Sequence, residues 1–203
     1  MNTKEKIITS SLTLFNSKGL ENITTRHIAS DIGISQGNLH YHYPNKNELI
    51  RFLFSAFITE IKAAEQFKDV SFQGEKFILS IESNFKIMKK YAFIFKDKDI
   101  IGRRLPELQT ELIEFLAYKK SKFIELLNLY QQNQVLKQSV SKDQILFLAD
   151  QFILTISTWL IGSEFVTNKN EQVSYFISYT ARLIIPYLTE EEASIWGSFI
   201  KSA

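Results

Sequence analysis

Apolar positions recur at helical spacing along almost the whole chain, and polar breaks divide them into segments. From Thr3 to Lys18, Ile8, Leu12 and Phe15 fall at i, i+4 and i+7, with Ile7 and Leu14 widening the stripe. This predicts an amphipathic first helix, stopped by Gly19. Thr24 can cap a second helix whose inner face is Ile28, Ala29 and Ile32. Gly33 suits the left-handed backbone of a sharp turn and lets the next helix approach. Ile34 returns to the core, Ser35 caps a third helix anchored by Leu39, and Pro44 ends it.

Asn45-x-x-Glu48 approximates a capping box opening a fourth helix through Leu49, Phe52, Leu53, Ala56 and Phe57, running on towards Phe67. A break is expected over 68–74. A fifth helix carries Phe77, Ile81, Phe85 and Met88 on one face to about Phe95, and the polar stretch Lys96 to Arg104 reads as an irregular or short-helical connector. From about Glu107, Leu112, Phe115, Leu116, Phe123, Leu126, Leu127 and Tyr130 keep helical spacing. A polar link lies around 137–142. Segments 143–166 and 170–188 are apolar on nearly every side, so each must be covered on more than one face; a short terminal helix fits 190–201. No strand alternation or repeat is visible. The expected fold is all-α, with a three-helix helix-turn-helix domain over residues 1–50, a larger helical domain over 51–203, and nine or ten helices in all.

Composition changes this picture little. The 203 residues, 45% hydrophobic, suffice for one large core or a small domain beside a larger one. There are three prolines and seven glycines, which suits long helices, and no cysteine, which removes disulfides, thiolate metal sites and cysteine nucleophiles. No signal-like start and no uninterrupted apolar run near the roughly 18 residues of a membrane span is seen, so a cytoplasmic location is expected. Charge matters by its place. Up to Arg51 there are six basic and four acidic residues, while the remainder has 18 of each, so the formal excess of +2 and all three histidines lie in the first quarter. That is the end expected to face DNA.

With Ile34 and Leu39 turned inward, the third helix presents Gln36, Gly37, Asn38, His40 and Tyr41 outward. Gln and Asn can pair with adenine edges, His40 can donate to guanine, and Gly37 permits close approach to a groove wall. Thr24, Thr25 and Arg26 at the second helix, the Tyr41 hydroxyl and Lys46 are placed to meet phosphates. Each could instead be a solvated surface residue, and one of Tyr41 and Tyr43, more readily Tyr43, belongs to the core. His40 and His42, two apart on a helix, diverge and have no accompanying ligand cluster, so no metal site is expected.

These positions carry a resemblance. The order G-L-x-x-I-T-T-R-x-I-A-x-x-x-G-I-S-x-G-x-L-x-Y-H-Y-x-x-K-x-E-L over the first fifty or so residues resembles the DNA-binding domain of TetR-family transcriptional regulators. The resemblance implies phosphate contacts at Tyr41 and Lys46 and groove-facing positions at Gln36, Gly37 and His40. His40 stands where the family most often has tyrosine, and Gln36 where lysine or arginine is frequent, which leaves the operator sequence open. Over the rest of the chain the likeness is architectural, with the stretch Tyr91 to Leu105 before Pro106 similar to one subgroup.

A short recognition helix reads few base pairs, so a homodimer on a pseudo-palindromic operator is expected. Pairing of helices near 143–166 and 170–188 with their symmetry mates would supply it, unless the chain's own core consumes both. The resemblance implies an unknown small-molecule effector, for which Phe85, Tyr91, Phe95, Tyr118, Phe152 and Trp159 are candidate lining residues, although aromatic residues at this spacing also serve as plain core. No cofactor is implied, and no phosphate loop, nucleophile elbow or carboxylate pair suggests an enzyme. The expectation is a dimeric DNA-binding repressor released by a ligand. The competing expectation is a helical ligand-binding or protein-interaction module without DNA-binding activity.

Overall fold

The computed structural model describes residues 2–64, 74–162 and 172–202. Its described residues form eleven α-helices: α1 (Thr3–Lys18), α2 (Thr25–Asp31), α3 (Gln36–His42), α4 (Lys46–Ala64), α5 (Gly74–Lys90), α6 (Phe93–Lys96), α7 (Lys98–Arg104), α8 (Pro106–Gln132), α9 (Lys142–Gly162), α10 (Gln172–Ile184) and α11 (Glu190–Ser202). The all-α expectation is met. The count exceeds nine or ten because the fifth helix stops at Lys90, and the two short helices α6 and α7 stand in place of a single connector. The expected break over 68–74, the approach of α4 to Phe67, and the ends of the two greasy segments at 163–166 and 170–171 fall mainly or wholly outside the described residues.

Two compact units divide the chain, and both are discontinuous in sequence. The first comprises Met1–Ala63 with Ile87–Leu112, and the second Ala64–Lys86 with Ile113–Ala203. Compactness therefore does not divide the chain at residue 50. The physical cause is α4, which buries Phe54, Phe57 and Ile61 beyond that point. Phe57 meets Tyr91 at 5.7 Å and Phe95 at 5.6 Å between ring centroids.

In the first unit, local chemistry starts and stops the helices as the residues dictate. Asn2 and Glu5 form a reciprocal capping box on α1. Gly19, at φ 81°, closes α1, and Gly33, at φ 69°, makes the α2–α3 turn in the left-handed region that favours glycine. Ile7, Phe15, Leu20, Ile28, Leu39, Leu49 and Leu53 are essentially fully buried; each such side chain contributes about 1.5–3 kcal/mol by removal from water.

In the second unit, Trp196 of α11 is completely buried and its indole lies 4.9 Å from the Phe77 ring and edge-on to Tyr130. The connection leading to α11 is tied down by an isolated bridge between Leu136 and Leu188 and by the bond from Thr189 N–H to Val135 O at 3.0 Å. α9 and α10 pack together but leave Leu146, Phe147, Leu154, Ile161, Tyr175 and Tyr179 substantially exposed. α9 is long and apolar enough to cross a membrane by length and composition alone, a test that the core helix of a soluble protein also passes; polar residues such as Asp150 interrupt its apolar run.

Candidate nucleic-acid interface

The α2–α3 pair is held by few residues and leaves most of its polar side chains outside. Thr24 caps α2: its Oγ1 accepts from His27 N–H at 3.3 Å, and its own N–H donates to His27 Nδ1 at 3.3 Å. Ser35 caps α3 by accepting from Asn38 N–H at 3.1 Å. Leu39 is the buried residue of α3. Gln36, Gly37, Asn38, His40 and Tyr41 are all exposed, Tyr41 at 85%. A phenol ring that bare adds little to folding, so its position on the outer face needs no structural role.

Four of the expected residues are brought into one polar chain. Arg26 Nε donates to Gln36 Oε1 at 3.4 Å, Gln36 Nε2 lies 3.4 Å from His40 Nε2, and Thr25 Oγ1 is 3.5 Å from the same nitrogen. Because Gln36 uses its oxygen towards Arg26, its amide faces His40 as a donor, and His40 Nε2 then acts as acceptor. Long, exposed bonds of this kind are readily exchanged for bonds to a base edge. Tyr43 is core, with its hydroxyl buried and without a hydrogen-bond partner, and burial pushes it up to about 12.

Lys46 stands apart from this chain. It opens α4, where Asn45 caps by accepting from Glu48 N–H at 3.0 Å, while the Glu48 carboxylate turns to Arg51. The Lys46 side chain is half-buried and its Nζ donates to the carbonyl of Leu20, with the Phe15 ring centroid 5.7 Å away. Burial, reinforced by Arg104, pushes the ammonium down to about 8, against the opposing pull of Asp97 and Glu21. Leu20 as a seat for Lys46, and Asp97 beside it, were not foreseen. No local pattern signals a bond between residues 26 or 77 positions apart.

The six aromatic residues considered for a ligand site fall into separate groups. Tyr91 and Phe95 pack on Phe57 in the first unit, and the Tyr91 hydroxyl donates to Glu60 at 2.7 Å. In the second unit Phe85 stacks on Phe176 at 4.5 Å, and Trp159 meets the same ring at 5.2 Å. Phe152 stacks on Phe123 at 4.1 Å, and Tyr118 is 40% exposed. Two solvent-open clefts of about 330 and 390 Å³ run along α1 and α2, and none of the six lines either. No group of three or more potential metal ligands occurs among the described residues.

The comparisons with known proteins bear on both parts of the chain. The family model described as "Bacterial regulatory proteins, tetR family" matches residues 7–52, and the TetR model described as "Bacterial transcriptional repressor" matches residues 54–195. The chain belongs to the TetR family. A TetR-family transcriptional regulator from Marinobacter aquaeolei VT8 superposes with a TM-score of 0.88 at 27% identity, covering 100% of this chain and 98% of that one. The class D tetracycline repressor protein of Escherichia coli is 29% identical over 55% of this chain and 50% of its own length. The biofilm operon negative transcriptional regulator IcaR of Staphylococcus epidermidis is 26% identical over 68% of this chain and 85% of its own. The chain thus spans about half the length of the tetracycline repressor it matches. These relatives are transcriptional regulators rather than enzymes.

Proposed function

We propose that the chain is a dimeric, cytoplasmic repressor that binds a pseudo-palindromic operator through α3 and leaves it when a small molecule binds the region after residue 50. The observation that carries the DNA-binding reading is the bare outer face of α3. Gln36, Gly37, Asn38, His40 and Tyr41 are exposed together while Leu39 alone anchors the helix. Such a helix is presented, not packed. Gln36, Asn38 and His40 read base edges in the major groove, with Gly37 allowing close approach; Thr24, Thr25, Arg26, Tyr41 and Lys46 meet phosphates.

Dimerisation is supported by the uncovered apolar residues of α9 and α10, namely Leu146, Phe147, Leu154, Ile161, Tyr175 and Tyr179. Pairing these two helices with their symmetry mates buries them in an isologous four-helix interface. The effector reading is supported by the relative named as a tetracycline repressor protein and by Trp159, whose indole N–H is buried and has no acceptor beside the Phe85–Phe176 stack. An apolar or aromatic ligand with one acceptor would suit it, and would act by favouring a dimer whose two α3 helices are misplaced for successive grooves. Footprinting on the DNA upstream of the chain's own coding region, repeated over a series of salt concentrations, tests the central claim. A protected site whose affinity falls steeply with salt is expected; no protection at low salt would refute it.

A further inference from the structure

Three elements meet on the peptide groups of Leu20. Its side chain is fully buried, and the residue comes directly after Gly19, where α1 ends. Its N–H donates to Asp97 Oδ2 at 2.8 Å, and its carbonyl accepts the Lys46 ammonium. Asp97 belongs to the α6–α7 junction, far outside the helix-turn-helix motif in sequence. Lys46 is the first residue of α4, where the helix dipole disfavours a cation. The charged groups acting on its Nζ are Arg104 from α7, Asp97 from the α6–α7 junction and Glu21 from the α1–α2 turn. A phosphate at the α3–α4 corner would compete with Leu20 O for the same ammonium, because that oxygen is only a neutral acceptor and phosphate is charged.

We propose that Asp97 is a positioning residue for DNA binding: its carboxylate fixes the Leu20 peptide on which the Lys46 ammonium rests and, by its negative charge, favours that ammonium, and DNA phosphate must draw the ammonium off the carbonyl. The inference rests on the DNA-binding reading given above, and it makes a consequence that ordinary surface lysines do not share. In the free chain Lys46 holds its proton only up to about pH 8. On phosphate the ammonium is stabilised and keeps the proton to higher pH. Below pH 8 the amine is charged in both states and no proton moves. Above it, binding must take up a proton, so affinity falls as pH rises. Between pH 7 and pH 9 the loss is about tenfold.

The test uses the full chain and a labelled random-sequence duplex, with affinity read by fluorescence anisotropy at fixed salt from pH 7 to 9. Wild type should lose about tenfold relative to Lys46→Arg, which stays charged throughout. Asp97→Asn keeps an acceptor for Leu20 N–H but removes a charge that favours the Lys46 ammonium, so its loss should begin at lower pH. A merely structural role for Asp97 would not move that onset. Parallel pH profiles for wild type and Lys46→Arg, or an Asp97→Asn profile that overlays wild type, overturn the proposal. Urea unfolding without DNA separates the two readings. There the folded amine releases its proton before the unfolded one does, so wild type should gain stability relative to Lys46→Arg as pH rises above 8. A chain showing that gain but binding no duplex at any pH refutes the DNA-binding reading, and the role of Asp97 with it. A chain that binds with no such pH dependence refutes this inference alone.

Discussion

Replacing Asn16 by alanine tests how firmly the second sequence segment of the first unit is held. Asn16 Nδ2 donates to Lys90 O at 2.9 Å, and its Oδ1 accepts from Phe93 N–H at 2.9 Å. One side chain on α1 thus satisfies the last residue of α5 and the first of α6. Alanine removes two hydrogen bonds, each about 1 kcal/mol net, and strands the Phe93 amide next to a fully buried ring, at about 1 kcal/mol more. The expected loss is about 3 kcal/mol, a large share of a typical stability of about 5–15 kcal/mol. With a urea slope near 2 kcal/mol/M, the midpoint should fall by about 1.5 M. Hydrogen exchange gives the local readout: the Phe93 amide should be protected in the wild type and exposed in Asn16→Ala. Asn16→Asp retains the acceptor for Phe93 and should keep more of that protection. A midpoint shift below about 0.25 M with unchanged exchange at Phe93 would show that the bridge carries no stability, and the reasoning would fail.

The other expectations concern the proposed function. Tyr41→Ala should leave the unfolding midpoint in place, since the ring is 85% exposed, yet weaken binding to every duplex with the salt slope unchanged, because a neutral hydroxyl displaces no counterion; sequence-selective loss would contradict its assignment to phosphate. Gln36→Ala and His40→Ala should instead change which base is preferred, by about 1–3 kcal/mol at one position, as read by binding to a panel of single-base operator variants. Leu154→Glu places a charge on an apolar residue of α9 that is 57% exposed. It should convert the dimer to monomer in light scattering without loss of helicity, and a monomeric wild type would dispose of the interface outright.

Much of the fold could be read from periodicity because its helices are amphipathic and their ends carry local chemistry. Thr24 and Ser35 cap where hydroxyl side chains precede apolar stripes, and Gly19 and Gly33 turn where φ is positive. The segment after Lys90 was less legible. Residues 91–95 are all buried, so their apolar run continues the pattern of α5 while the backbone turns at Tyr91 and Ala92. The outward residues of α3 were legible for the same reason as the caps, since one buried leucine fixes the phase of a two-turn helix. What the sequence could not show were bonds between distant segments: Leu20 with Lys46 and Asp97, and Asn16 with Lys90 and Phe93. Their partners are backbone groups, which any residue supplies, so no residue type marks them.

The discontinuity of the first unit has a consequence for how the chain is made. Its helix-turn-helix is synthesised before residues 87–112 exist, by about 3–10 s at usual translation rates. During that interval Phe57 lacks Tyr91 and Phe95, the rings it meets in the finished unit. The nascent N-terminal segment therefore lacks part of its core until residues 87–112 have been made. For the same reason, a chimaera that transplants only the first sixty or so residues onto another effector region would carry an incomplete core, whereas one that also carries 87–112 would not.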